Sequence, residues 1–280
     1  MGTTSHLPSE LWQRELIFNR SISAKLWELG RSDLSSPLEM CHTSETYCHC
    51  LNCKKFTHFF NRCDRFYCPI CVSRLAYRRR KSIEAWTKTI TQPKHIVLTA
   101  RNVSTITKNY VHWFKTQLCH LRRSKFARSW RGGLASLEVT NEGRGWHLHC
   151  HLLVDSDWID HARLAQIWAK YVDQDFAIVC VKDTRERSYL SEVTKYAVKG
   201  SLLASWTASD IAAFIDAMTG VRQFGVFGSL FKDRAKRAQI LAELTPPDRT
   251  CPACDSDALA YLDQMEHDWF EETGQRLSHN

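Results

Sequence analysis

The densest chemistry in the chain lies in Trp146–Val154, which reads WHLHCHLLV. Side chains of an extended strand alternate between its faces, so His147, His149 and His151 project to one side. The preceding run Leu134–Thr140 also alternates apolar and polar residues, and the intervening Asn141–Gly145 carries two glycines. Together these runs predict a β-hairpin. With its turn centred between Gly143 and Arg144, Glu138 falls opposite His149 on the same face. Two imidazoles and a carboxylate, with open positions for substrate oxygens, make a site for a catalytic divalent ion. One such histidine would read as a core residue satisfied by hydrogen bonds. Three on one face opposite a glutamate read as a metal strand.

A second group lies in Tyr189–Lys199. At about 100° per residue, Tyr189, Glu192, Tyr196 and Lys199 share a helical face beside the apolar stripe of Leu190, Val193 and Ala197. A tyrosine hydroxyl brought to a polarised phosphate can form a covalent phosphodiester with DNA. A lysine one turn away would offset phosphate charge, and a glutamate one turn before could act as a general base. Taken alone, a tyrosine at helical spacing is a core residue; beside the histidine strand it becomes a candidate nucleophile.

Twelve cysteines are present, seven of them between Cys41 and Cys71. The polar start MGTTSHLPSELWQREL is no signal peptide, so metal binding is a better reading than a secreted disulfide scaffold. Cys50-x2-Cys53 and Cys68-x2-Cys71 stand fourteen residues apart, the spacing of a four-thiolate zinc site. Cys41, Cys48 and Cys63 are near enough to substitute, so Cys50, Cys53, Cys68 and Cys71 are the expected set without being the only one. Cys251-x2-Cys254 is half a zinc site; it either borrows ligands from the spare N-terminal cysteines, His267 or His279, or is inert. Cys119 and Cys180 read as core residues, as do Trp12, Trp27 and Trp168.

Charge is unevenly spread. The net charge of the 280 residues is +8, yet Lys54–Arg131 alone holds 19 Lys and Arg against two Asp and Glu. Residues 251–280 hold one Arg against seven acids. A segment that basic suits a polyanion, because each phosphate it neutralises releases condensed counterions. Phe66, Tyr67, Tyr77, Trp86, Trp113 and Trp130 are interleaved with the charges and could stack on bases. The plainer alternative is a solvated basic face. Arg78-Arg79-Arg80-Lys81, directly after the cysteine module, are the expected DNA contacts, with Lys195 beside Tyr196.

Several elements must position these groups. Residues 9–31 repeat apolar positions at helical spacing up to Gly30, and 72–91 read as a basic amphipathic helix. Lys94–Ala100 and Phe176–Val181 read as strands; Trp158–Val172, Ser188–Leu203 and 209–219 read as helices. Gly225 and Gly228 interrupt an aromatic run, and Pro246-Pro247 marks a boundary. Helices and strands mix without a βαβ repeat, which predicts an α+β fold with a central antiparallel sheet, flanking helices and a cysteine-rich zinc module in front. The expected divisions are a helical segment (1–40), the zinc module (41–80), the catalytic domain (81–240) and an acidic tail (241–280). No run of eighteen apolar residues occurs, so the chain reads as soluble and cytoplasmic.

The H-x-H strand followed by the E-x-x-K-Y-x-x-K helix resembles the HUH endonuclease superfamily, and within it the replication initiators of small rolling-circle plasmids. His95–Asn102 (HIVLTARN), Cys63–Arg74 (CDRFYCPICVSR) and Arg222–Lys232 (RQFGVFGSLFK) resemble further segments of that family, in its order, over roughly residues 50–235. The resemblance implies that His149 and His151 bind Mg²⁺ or Mn²⁺ and that Tyr196 is the nucleophile linked to a 5′ phosphate. It implies single-stranded DNA at a plasmid or phage origin as substrate, with a host polymerase and helicase as partners and no membrane. Glu192 matches a position where some members activate water at termination, which implies a one-tyrosine enzyme. His147 is often present in the family, and Cys150 replaces its usual bulkier hydrophobe. A transposase of the same superfamily shares these motifs, and a zinc-dependent DNA-binding regulator without catalysis is the rival of another class.

Overall fold

The computed structural model describes residues 9–73, 75–76, 90, 92–183, 200–229, 249–254 and 256–262. It is an α+β protein with two antiparallel sheets. The larger has five strands: β3 (Pro93–Thr99), β4 (Gly132–Asn141), β5 (Trp146–Asp155), β6 (Val179–Asp183) and β7 (Phe224–Gly228), in the order β6-β3-β5-β4-β7. The smaller is β2-β1-β8, from β1 (Glu45–Cys50), β2 (Phe56–Phe60) and β8 (Leu259–Leu262). The histidine strand β5 is thus the middle strand of the main sheet.

Alternation decides which side of that sheet is wet. Even-numbered residues of β5 (Trp146, Leu148, Cys150, Leu152, Val154) are buried with Ile96, Leu98, Leu137 and Val139 of its neighbours. They pack in one core with α3 (Lys108–Arg123) and α4 (His161–Tyr171), where Phe114 and Trp168 meet edge to face at 5.6 Å. The Trp168 indole N–H donates to the Thr99 carbonyl at 2.7 Å, tying α4 to the end of β3. Odd-numbered residues of β5 face the opposite side, which carries the polar groups.

Within residues 9–31 one helix forms, α1 (Ser9–Glu28), followed by α2 (Ser32–Glu39). Asn19 donates to the Leu38 carbonyl and Ser23 bonds Ser35, which closes the pair. Lys25 crosses to the Ala204 and Trp206 carbonyls at the end of α5 (Gly200–Ser205), and α6 (Ala208–Met218) follows. No helix among the described residues is long and apolar enough to cross a membrane.

Several local expectations change. The glycine-interrupted aromatic run is a strand, because β7 pairs with β4 across Gly132, Gly133 and Ala135, whose small side chains admit a close neighbour. Trp27 is 58% exposed, being on the outer face of α1, whereas Trp168 is fully buried. Cys119 lies on the solvent side of α3 and Cys180 is half-buried on β6. Tyr67 and Trp130 are buried and cannot stack on bases; Phe66 and Trp113 are half-buried. The strand expected at Phe176 begins at Val179. The helix expected at Ser188–Leu203 lies outside the described residues through Lys199, as do Tyr77, Trp86 and the side chain of Trp12.

Candidate metal centre

Register places the carboxylate. The β4–β5 ladder pairs Asn141 with Trp146 and Glu138 with His149, leaving a four-residue turn, Glu142–Gly145. Gly145 holds this turn: its φ is +88°, and a Cβ there would stand 2.7 Å from the Val103 carbonyl oxygen. Val103 and Trp146 exchange two backbone hydrogen bonds, so the turn is pinned from a third segment. On the other flank β3 places Thr99 opposite His149 and Val97 opposite His151.

Glu138, His149 and His151 consequently converge. Glu138 Oε2 lies 2.9 Å from His149 Nε2 and 2.9 Å from His151 Nε2. An octahedral ion with ligands at 2.0–2.1 Å separates adjacent ligand atoms by about 3 Å, which both Glu138–His separations match. Burial alone would raise the Glu138 carboxyl, but hydrogen bonds from His149 and His151 hold it well below the usual carboxylate range. It stays an anion, the form an ion needs. The group can hold a metal.

His151 is oriented from behind. Its Nδ1 lies 3.1 Å from His95 Nε2, and the two rings stack at 5.3 Å between centroids. When Nε2 ligates a cation, the ring proton sits on Nδ1 and donates to His95, the arrangement that fixes a ligand's tautomer. His149 Nδ1 is buried with no hydrogen-bond partner among the described residues. His147 stands outside the converging group, its ring 5.2 Å from that of His149, and burial lowers its pKa. It lines a cavity of about 690 Å³ with Thr99, Arg101, Lys170, Phe176 and Ile178.

The cysteines divide differently from the expected set. Cys50 and Cys53 do not join Cys68 and Cys71. Instead Cys41, Cys63, Cys68 and Cys71 form one cluster, and Cys50, Cys53, Cys251 and Cys254 another. The reason is topological: β1 pairs with β8, which carries the last two cysteines to the first knuckle, while Cys41 follows α2 back to Cys68 and Cys71. In the first cluster the sulfurs lie 3.7 Å (Cys41–Cys71), 3.8 Å (Cys63–Cys71) and 3.7 Å (Cys68–Cys41) apart. With Zn–S bonds of 2.3 Å, a tetrahedral edge is about 3.8 Å. Within this cluster hydrogen bonding with Cys63 lowers the Cys41 thiol and hydrogen bonding with Cys41 raises that of Cys68. Each tetrad can hold an ion.

Tyr189, Glu192, Lys195, Tyr196, Lys199, Arg78–Lys81, His267 and His279 lie outside the described residues. The sequence pattern does not single out His95 as the partner of His151, although it opens the segment His95–Asn102; its signal is a histidine on the strand beside the metal strand. The Cys41 tetrad was signalled by Cys63-x4-Cys68-x2-Cys71, a third cysteine just ahead of the second knuckle.

Residues 54–251 match the model of the Replication protein family, and the chain belongs to that family. Membership implies a replication initiator, a protein whose work involves DNA. Comparison with curated proteins and with solved structures gives no match.

Proposed function

We propose that this replication protein nicks single-stranded DNA at a plasmid or phage origin and starts rolling-circle synthesis from the cut. The observation that carries this reading is the convergence of His149 Nε2 and His151 Nε2 on Glu138 Oε2, at 2.9 Å each, on the central strand of a replication-family protein. Glu138, His149 and His151 would hold Mg²⁺ or Mn²⁺, which when bound polarises a non-bridging oxygen of the scissile phosphate.

Tyr196 supplies the nucleophile. Its hydroxyl oxygen attacks phosphorus, the tyrosyl–phosphate bond forms on the 5′ side, the bond to the 3′ oxygen breaks, and the phenolic proton ends on that departing oxygen. The freed 3′ hydroxyl primes a host polymerase, with a host helicase opening the duplex ahead. Lys199 offsets charge on the phosphate. At termination Glu192 takes a proton from the water that hydrolyses the tyrosyl–phosphate bond. Arg78–Lys81 and Lys195 grip the backbone, and zinc in the Cys41–Cys63–Cys68–Cys71 cluster stabilises the module that precedes them.

The cavity beside His147 suits the nucleotides leading to the cut. Phe176 is 76% exposed and Ile178 is 68% exposed, giving a base an apolar surface, with Arg101 and Lys170 for the phosphates. The test incubates the chain with Mn²⁺ and a single-stranded oligonucleotide from its replicon's origin. A covalent adduct should survive denaturing electrophoresis and vanish in Tyr196→Phe and His149→Ala. Tight DNA binding with no adduct on any origin strand would replace this reading with a non-catalytic DNA-binding regulator.

A further inference from the structure

We infer that Cys50, Cys53, Cys251 and Cys254 bind a second zinc ion, which clasps the segment 249–262 onto the N-terminal cysteine hairpin. Family membership does not assign this site: Cys50, Cys53 and Cys254 lie outside the matched residues 54–251. Nor does it depend on the proposed nicking chemistry.

The geometry has three parts. Cys50 Sγ lies 3.6 Å from Cys254 Sγ, and Cys53 Sγ lies 3.4 Å from Cys251 Sγ. Those separations are close to the tetrahedral edge of about 3.8 Å that four thiolates make around zinc. Each pair is also presented by a turn. In the first, the Lys54 N–H donates to the Cys50 carbonyl and the Cys50 N–H to the Lys55 carbonyl, with Lys54 at φ +61°. In the second, the Cys254 N–H donates to the Cys251 carbonyl and the Cys251 N–H to the Ser256 carbonyl.

The third part is the strand that leads away from the two knuckles. β8 pairs with β1 from Tyr47–Leu262 to Cys50–Leu259, and the Leu51 N–H donates to the Ala258 carbonyl. The Arg249 guanidinium sits 5.7 Å from the Phe59 ring and 5.6 Å from the Tyr261 ring. Four residues on a sheet edge form too short a strand to hold this segment by themselves. Cys50 and Cys251 are fully buried and Cys53 and Cys254 half-buried, so an ion held among the four would be largely shielded from water. An ion bound by all four offsets their charge and fixes both knuckles, so binding and docking of the segment are one event.

The test counts and maps zinc in the full chain. Zinc content and cysteine alkylation followed by mass spectrometry should give two zinc ions per chain, with all eight tetrad cysteines protected. Cys251→Ser/Cys254→Ser should retain one ion, keep Cys41, Cys63, Cys68 and Cys71 protected, open Cys50 and Cys53 to alkylation, and make Arg249 at least tenfold more sensitive to trypsin. If the variant fails to fold, the wild-type map decides alone. Wild-type chain holding one zinc while Cys50, Cys53, Cys251 and Cys254 alkylate freely, or a variant that still holds two, would overturn the clasp.

Discussion

At the scale of single residues, the metal centre depends on a proton. His95 faces the one ring nitrogen of His151 that ligation leaves over, 3.1 Å away. Removing such a partner leaves the ligand free to turn and to take the wrong tautomer. His95→Ala should therefore weaken Mn²⁺ binding about 10–100-fold, read by calorimetry or electron spin resonance, and excess Mn²⁺ should restore function. Unchanged affinity would reduce His95 to a packing residue. Glu15 makes a different point. It is 3% exposed, and its Oε2 has no hydrogen-bond partner among the described residues. Burial raises its pKa, with Arg14 opposing. A carboxyl raised in the folded state disfavours folding once ionised, and that penalty disappears as pH falls through the folded pKa to below the unfolded value of 4.5. Glu15→Gln should thus raise the melting temperature at pH 8 and make little difference at pH 4. A constant difference across that range would point to packing instead.

At the scale of elements, the β4–β5 hairpin was legible because two constraints agreed. The period-two alternation chose the faces, and the glycines of the turn chose the register; together they placed Glu138 opposite His149, as the ladder does. Gly145 carries that register at φ +88° against the Val103 carbonyl. Gly145→Ala should cost on the order of 2 kcal/mol in urea unfolding and weaken metal binding with it, since a slipped turn moves Glu138 to the other face. β7 was illegible for the opposite reason. Glycine in an aromatic run reads locally as a break, whereas here Gly228 pairs with Gly132 of β4, and a Cβ on Gly228 would stand 2.5 Å from the Arg131 carbonyl oxygen. The cysteine grouping was illegible as well. Local spacing offers Cys50, Cys53, Cys68 and Cys71 as one site, and only the pairing of β1 with β8 separates them. Long-range strand choice leaves no trace in a short window.

At the scale of the whole molecule, charge and shape act together. The basic segment Lys54–Arg131 supplies a field that would draw a nucleic acid in whatever its sequence. Each cation that meets a phosphate of single-stranded DNA contributes about 0.7 to the slope of log affinity against log salt. Replacing Arg78, Arg79, Arg80 and Lys81 with alanine should therefore flatten that slope by about 3. A slope unmoved by the change would mean that this run stays solvated. Phe176→Ala should behave otherwise, lowering affinity by about 1–3 kcal/mol with the salt slope intact, because stacking releases no ions.

The pairing of β1 with β8 also sets a schedule. A ribosome makes Cys50 204 residues before Cys254, and the hairpin β1–β2 emerges with one long edge uncovered. At 5–20 residues per second that edge waits roughly 10–40 s for its last strand. Throughout that interval the nascent chain offers a bare β edge and half a set of thiols, the features that invite wrong partners. Maturation of the small sheet is therefore timed from its latest strand: the Cys50–Cys53 knuckle meets its partners only when Cys251 and Cys254 are synthesised.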